Sequence, residues 1–165
     1  MHPAARAYVA RTLGDGTVWP RVAEVGGRNI NGGVRDLVPH GRWWSVDLED
    51  GPDVDAVGDC RVLRPPWPAD LVVCCEVLEH TPDPKGVLLS ATGYLAAGGR
   101  LLVTCAGPGR APHSGHDGMA VREGEHYGNI SDDELRRWMV DAGLVLVQVE
   151  DNPADCDTYG TGVKR

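Results

Sequence analysis

The sequence predicts an α/β protein built on a doubly wound, mostly parallel sheet. Three observations predict it. Short apolar runs bounded by turn residues recur along the 165 residues. Segments with helical start and stop signals fall between those runs, the alternation that produces a parallel sheet with helices on both faces. The first run, VAEV at 22–25, opens into GGRNINGG, a glycine- and asparagine-rich cluster of the kind in which a strand ends at a ligand-binding turn. The length suits one domain with a sizeable core, and no repeat or linker interrupts it. The expected organisation is a single domain over 1–165, with its core over about 20–164 and a short N-terminal helix within 1–16.

Residues 3–13 read as that helix, with Gly14 just past its end. The buried first strand follows at 22–25, then a short helix at 34–38 stopped by Pro39. A second strand at 43–46 ends at Asp47, and a weak third strand at 54–57 ends at Asp59. The gap between those two strands is too short for a crossover helix, so the helix usually found there should be missing. RVLRPPWPAD, 61–70, is a proline-stiffened loop. The strongly apolar fourth strand runs over 71–75. Residues 84–97 read as a helix, with Pro84 in the first turn and Gly98-Gly99 past the end. A fifth strand at 100–105 leads into a long polar loop, 106–130. Ser131 and Glu134 form a capping box that opens a helix over 131–142. Strands at 144–150 and 158–164, joined by a short loop, are expected to pair as an antiparallel hairpin.

Phenylalanine is absent and glycine and proline are plentiful, at 22 and 12 residues, so the core should be Val, Leu and Ala among many tight loops. The net charge of -8 repels nucleic acid backbones and anionic membranes. Neither is expected as a partner, and no stretch approaches the length of a membrane span. The N-terminal MHPAARAYVARTLG has no apolar core of signal-peptide length. The five cysteines form no CxxC pair, and an odd count of thiols points to the cytoplasm.

The chemistry begins in the turn. Its spacing is not G-x-G-x-x-G, and Glu24 inside the strand is a poor neighbour for a pyrophosphate. Asp47 lies about twenty residues beyond Gly26, the spacing at which an acid accepts ribose hydroxyls. Asp59, or the backbone beside it, is placed for a base edge. A nucleoside cofactor carrying an amine and a sulphonium fits these acids, and Gly26 and Gly27 let the backbone approach it. CCEVLEH at the end of the fourth strand adds Glu76 and Glu79 to the same rim, so the cleft should be negative and suited to a cation.

EVGGRNINGG, SVDLEDG, VGDC, ADLVVCCEVLEHTPDP and AAGGRLLVT, in that order, resemble the class I S-adenosylmethionine-dependent methyltransferases, in the branch whose fourth strand runs into E-V-L-E-H. The resemblance covers about residues 20–164. It implies a Rossmann-like sheet of seven strands in the order 3-2-1-4-5-7-6, the last antiparallel, and S-adenosyl-L-methionine as cofactor. Carried onto this chain, it places Glu24, Gly26 and Gly27 at the methionine end, with Arg28 beside them, and Asp47 with Leu48 at the ribose. It sets Asp59 and Cys60 beside the adenine, and Cys75, Glu76 and His80 on the fourth-strand side. Arg28 and Ile30 stand where the family often has glycine, so the turn should open differently. The N-terminal cover is cut to about one helix, which implies a bulky substrate or a homodimer whose second copy supplies the missing wall.

The implied reaction is methyl transfer to a small-molecule oxygen, nitrogen or carbon, or to a group on a larger partner, in which the protein's main task is positioning. A base is needed only where the acceptor loses a proton. His113, His116 and His126 in the long loop are the candidates. His113, His116 and Asp117 have a spacing that can hold a metal, but a polar loop of this kind is more often solvated or substrate-facing, and no metal is expected. Two other functions fit the sequence less well. A nicotinamide-dependent oxidoreductase needs the pyrophosphate cradle that this turn lacks. A non-catalytic scaffold would bind the same cofactor without turnover.

Overall fold

The computed structural model describes residues 1–30 and 32–165; Asn31, within the glycine-asparagine turn, lies outside the described residues. Helix α1 spans Pro3–Leu13, and strands β1 and β2 span Trp19–Val25 and His40–Asp47. The very short β3 covers Ala56–Val57, β4 Ala69–Cys75, α2 Pro84–Tyr94 and β5 Leu95–Ala106. Helix α3, Asp132–Asp141, precedes β6, Leu144–Asn152, and β7, Asp157–Lys164. The seven strands form one sheet in the order β3-β2-β1-β4-β5-β7-β6, parallel except where β7 runs antiparallel to β5 and β6. Strand order reverses between β1 and β4, so the carboxyl ends of these two strands flank the crevice where such sheets bind ligands.

Both faces of the sheet are covered, and β4 shows why its run is apolar throughout. Leu71, Val73 and Cys75 point to one side, where Ala5, Tyr8, Val9 and Leu13 of α1 pack on them. Val72 and Cys74 point to the other, against Leu88 and Ala91 of α2 and Leu135 and Met139 of α3. Alternation with period two therefore buries every one of these β4 residues. On the α1 side Tyr8 stacks on Tyr159 of β7, with ring centroids 4.4 Å apart.

Several boundaries differ from the sequence reading. Helix α2 ends at Tyr94, not at 97, because Leu95 already pairs with Ala69 of β4 and the chain enters β5 through an irregular register. The short helix at 34–38 is a single 3-10 turn, Arg35–Leu37. Gly32-Gly33 before it and Pro39 after it leave no room for an α-helical segment. Strand β1 starts earlier, at Trp19, since Pro20 sits where β1 pairs with β2 alone and β4 has not yet joined. As expected, no helix joins β2 to β3. The connector instead folds back, Asp55 donating its backbone N–H to Ser45 O and accepting the Ser45 N–H on its side chain.

Candidate active site

The turn after β1 needs its two glycines. Gly26 has φ +76°, and a Cβ there would lie 2.2 Å from Val77 Cγ2; at Gly27 it would lie 2.5 Å from the Ser45 Cβ. Both backbone N–H groups point at Val46 O, at 2.9 and 3.3 Å, so they fasten the turn to β2. Next to them Asp47 is fixed by two backbone donors, Arg28 N–H to Oδ2 and Glu49 N–H to Oδ1, each at 3.1 Å. Each carboxylate oxygen keeps acceptor capacity for a further hydrogen bond. Asp47 lines a cleft of about 1020 Å³, together with Glu24, Gly26, Gly27, Arg28 and Leu48.

Glu24 reaches the floor of that cleft from inside the sheet. Trp43 donates its indole N–H to Glu24 Oε2 at 2.9 Å. Burial pushes the Glu24 carboxyl up to about 8, against the opposing pull of that hydrogen bond.

The β3 side carries Asp59 and Cys60, both in the cleft wall. Arg61 grips Asp59 through Nε and Nη2, the closest contact being 2.7 Å, and also reaches Asp83 at 2.8 Å. Those bonds hold the Asp59 carboxyl below its usual range. The Cys60 thiol is driven up to about 11 by burial, so it acts as a small apolar surface and not as a nucleophile.

At the end of β4, Cys75, Glu76 and His80 line the cleft. Glu76 adopts φ +57°, which turns the chain out of the strand, and accepts the Thr104 hydroxyl at 3.0 Å. Burial raises its carboxyl pKa. Glu79 departs from the expectation: it does not line the cleft but is fully buried behind it, accepting the Ala106 N–H at 3.1 Å. The segment Leu78–His80 forms a 3-10 turn that rotates Glu79 inward and leaves His80 on the cleft side.

The loop after β5 folds over the opening. His113, His116 and His126 all line the cleft. His116 is held between two acids, with Nδ1 2.7 Å from Glu49 and Nε2 3.2 Å from Glu125. Arg28 pairs with the same Glu49 and donates to His116 O at 3.3 Å. The loop is thus clasped to the end of β2. Asp117 pairs with Arg122 instead, so His113, His116 and Asp117 do not converge. His113 packs edge-on against His80 and Tyr127, with centroids 5.1 and 4.9 Å away.

Arg110, Glu49, Glu125 and Arg61 also line the cleft, though sequence reasoning assigned them no role. Arg110 donates to the buried Asp157 at 2.7 Å, and His2 approaches the same carboxylate at 3.2 Å, bringing Met1, His2 and Pro3 to the cleft edge. No local pattern announces a pair separated by 47 residues. These pairings correct the picture of a bare negative rim. Glu49 and Asp59 are matched by Arg28 and Arg61, and burial holds Glu24 and Glu76 toward their neutral forms.

Fold and cleft together define the class: a seven-stranded sheet in the order 3-2-1-4-5-7-6 with its site at the β1/β4 switch point. The family follows from the sequence match. Residues 16–149 match the family model described as a methyltransferase domain, and the chain belongs to that family. It is 32% identical over 114 residues to the ubiquinone biosynthesis O-methyltransferase of Xanthomonas euvesicatoria, a match covering 62% of this chain and 47% of that protein. The chain thus matches about half the length of that curated relative. Among solved structures it resembles phosphoethanolamine N-methyltransferase 2 of Haemonchus contortus, with bound phosphomonomethylethanolamine and S-adenosylhomocysteine. The TM-score is 0.71 at 15% identity, covering 98% of this chain and 52% of that one. It also resembles the 1,6-didemethyltoxoflavin-N1-methyltransferase of Burkholderia thailandensis, with a TM-score of 0.66 at 19% identity, covering 98% and 77%. Among the described residues, no helix is long and apolar enough to cross a membrane.

Proposed function

We propose that the chain acts as one S-adenosylmethionine-dependent methyltransferase domain on a small-molecule acceptor. The observation that carries this reading is the placement of Asp47. Its carboxylate is oriented by two backbone N–H groups at the tip of β2, in one cleft with the glycine turn and with Glu24. That arrangement offers acceptors for ribose hydroxyls and an acid for an ammonium. The curated relative is named as an O-methyltransferase, and both structural neighbours hold S-adenosylhomocysteine, which supports the same assignment.

When bound, S-adenosylmethionine supplies a methyl group made electrophilic by its sulphonium. The chain's own work is then orientation and exclusion of water. Gly26 and Gly27 let the backbone approach the ligand, Asp47 fixes the ribose with Leu48 beside it, and Asp59 and Cys60 flank the adenine. Cys75, Glu76 and His80 form the wall on the β4 side. The loop carrying His113, His116 and His126 closes the acceptor side. His116 is committed to two carboxylates as a clasp, which leaves His113 and His126 to interact with the acceptor.

The same reading places the protein in the cytoplasm, with all five cysteines unpaired and four of them buried. It also allows a homodimer in which a second copy adds to the wall of the acceptor side. Thermal-shift and calorimetric titration test the cofactor: S-adenosylhomocysteine should stabilise and bind, and NAD should do neither. Binding of NAD in place of S-adenosylhomocysteine would overturn the assignment. Transfer of a labelled methyl group to a panel of phenols and amines then separates an enzyme from a scaffold.

A further inference from the structure

The residue before α1 meets the first residue of β7 at the edge of the cleft. His2 Nδ1 stands 3.2 Å from Asp157 Oδ2, and Asp157 is completely inaccessible to solvent. The fold fixes both partners. Pro3 opens α1 and holds His2 in extended backbone, ψ 141°, while Arg6 donates its N–H to His2 O at 3.1 Å. Tyr8 of α1 stacks on Tyr159 of β7, and the Tyr159 hydroxyl donates to Asp157 Oδ2 at 2.9 Å. The packing of α1 on β7 therefore sets the ring against the carboxylate.

The hydrogen bonds around Asp157 decide where the His2 proton sits. Its Oδ1 accepts from Arg110 at 2.7 Å, and its Oδ2 accepts from Tyr159, whose hydroxyl in turn accepts from the Asn152 amide at 3.2 Å. A carboxylate ringed by donors has no proton to give, so His2 Nδ1 is the donor. The neutral ring then keeps its lone pair on Nε2. Among the described residues Nε2 makes no hydrogen bond, and His2 lines the cleft. The loop histidines differ. His116 commits both nitrogens to Glu49 and Glu125, and His113 sets Nδ1 against a carbonyl, Ala111 O. Asp157 pairs with Ala106 at the carboxyl end of β5, so β1, β4 and β5 separate the His2 pair from Asp47 on β2. Under the methyltransferase reading that is the acceptor end of the cleft.

We propose that His2, oriented by Asp157, takes the proton from a methyl acceptor of the phenol class. The proposal rests on the methyltransferase reading and deepens it. An amine attacks through its own lone pair, whereas a hydroxyl must lose its proton as it reacts, and a phenol is acidic enough for imidazole to take it. As the acceptor oxygen bonds to the methyl carbon, its proton passes to His2 Nε2. The carbon–sulphur electron pair returns to sulphur, and the products are the methyl ether and S-adenosylhomocysteine. The imidazolium, steadied by Asp157, then releases its proton to water. His2 is the catalytic residue in this step, and Asp157 positions it.

Two readouts test it. Nitrogen NMR on protein carrying isotope-labelled histidine should show the neutral His2 ring with its proton on Nδ1, and Asp157→Asn should shift the ring toward the other tautomer. Methyl transfer to phenol and to para-nitrophenol, in mildly alkaline buffer, separates a base from a structural contact. His2→Ala should lower kcat by about a hundredfold or more with phenol. The loss should be much smaller with para-nitrophenol, which ionises there without help. Asp157→Asn should show the same ordering with a smaller loss. Equal losses on the two phenols, no loss on either, or a neutral His2 ring protonated on Nε2 overturns the proposal. So does a wild type that binds S-adenosylhomocysteine and methylates neither phenol. Calorimetric titration of S-adenosylhomocysteine on the same proteins keeps the two readings distinct. Intact binding with any of those results removes the base alone, and absent binding removes the methyltransferase reading and the proposal with it.

Discussion

Trp43 on β2 donates its indole N–H at 2.9 Å to Glu24 on the neighbouring β1, giving a hydrogen-bond partner to a carboxyl buried within the sheet. The pair explains how an acid is tolerated in the most central part of the fold. One neutral donor is too little to keep a desolvated carboxylate ionised, so the group is raised to about 8. Burial thus favours the protonated form of Glu24, and a bound ammonium would draw it into the charged form.

Glu24→Gln should therefore change the pH dependence of stability. The folded-state pKa is raised from 4.5 to about 8. The stabilisation linked to the protonated group is fully present below the unfolded value and is lost as pH rises through the folded one. Glutamine does not titrate. The stability difference, variant minus wild type, should grow by roughly 3–5 kcal/mol at most between those two pH values. Denaturant melts across that window check it, and parallel curves for the two proteins would contradict the assignment.

The clasp at His116 gives a dynamic prediction. It links the end of β2 to the loop through Glu49 and Glu125, and all three are at least partly exposed. Such a contact is worth about 0.2–1 kcal/mol, and salt weakens it. His116→Ala should raise amide exchange in residues 107–128 about two- to fivefold, and high salt should produce part of that rise in wild type. Unchanged exchange would show that the loop is held by other contacts.

Arg110 and Asp157 make the clearest case of a charge pair with a buried partner. Asp157 is inaccessible, and Arg110 reaches it at 2.7 Å. Arg110→Ala should destabilise by about 2 kcal/mol, less than a fully stranded charge because His2 and Tyr159 remain. Adding Asp157→Asn should recover part of that loss, a coupling that a double-mutant cycle measures. Additive losses would mean that the two residues act separately.

Where local chemistry decides, the sequence was readable. Ser131 and Glu134 announced the start of α3, and both halves of the capping box form, Glu134 N–H to Ser131 Oγ at 3.3 Å and Ser131 N–H to Glu134 Oε2 at 3.1 Å. Ser131→Ala should cost about 1 kcal/mol in thermal or denaturant unfolding. The missing helix between β2 and β3 followed from chain length alone. Apart from Glu79, the residues expected at the site line one cleft; for those at strand ends, strand periodicity and order fix the position. What the sequence could not show were choices made by distant partners. Leu95, Ala96 and Ala97 favour a helix locally, yet pairing with β4 draws Leu95 into β5. Glu79 looked like a rim acid, yet one 3-10 turn directs it into the interior. Arg110 had no signal because its partner lies on the last strand.

Calorimetric titration of S-adenosylhomocysteine into wild type and Asp47→Ala tests the central claim most directly. If Asp47 accepts both ribose hydroxyls, its removal should weaken binding by roughly 1.5–3 kcal/mol with the fold intact. Equal affinity in the two proteins would contradict the placement of the cofactor over the glycine turn.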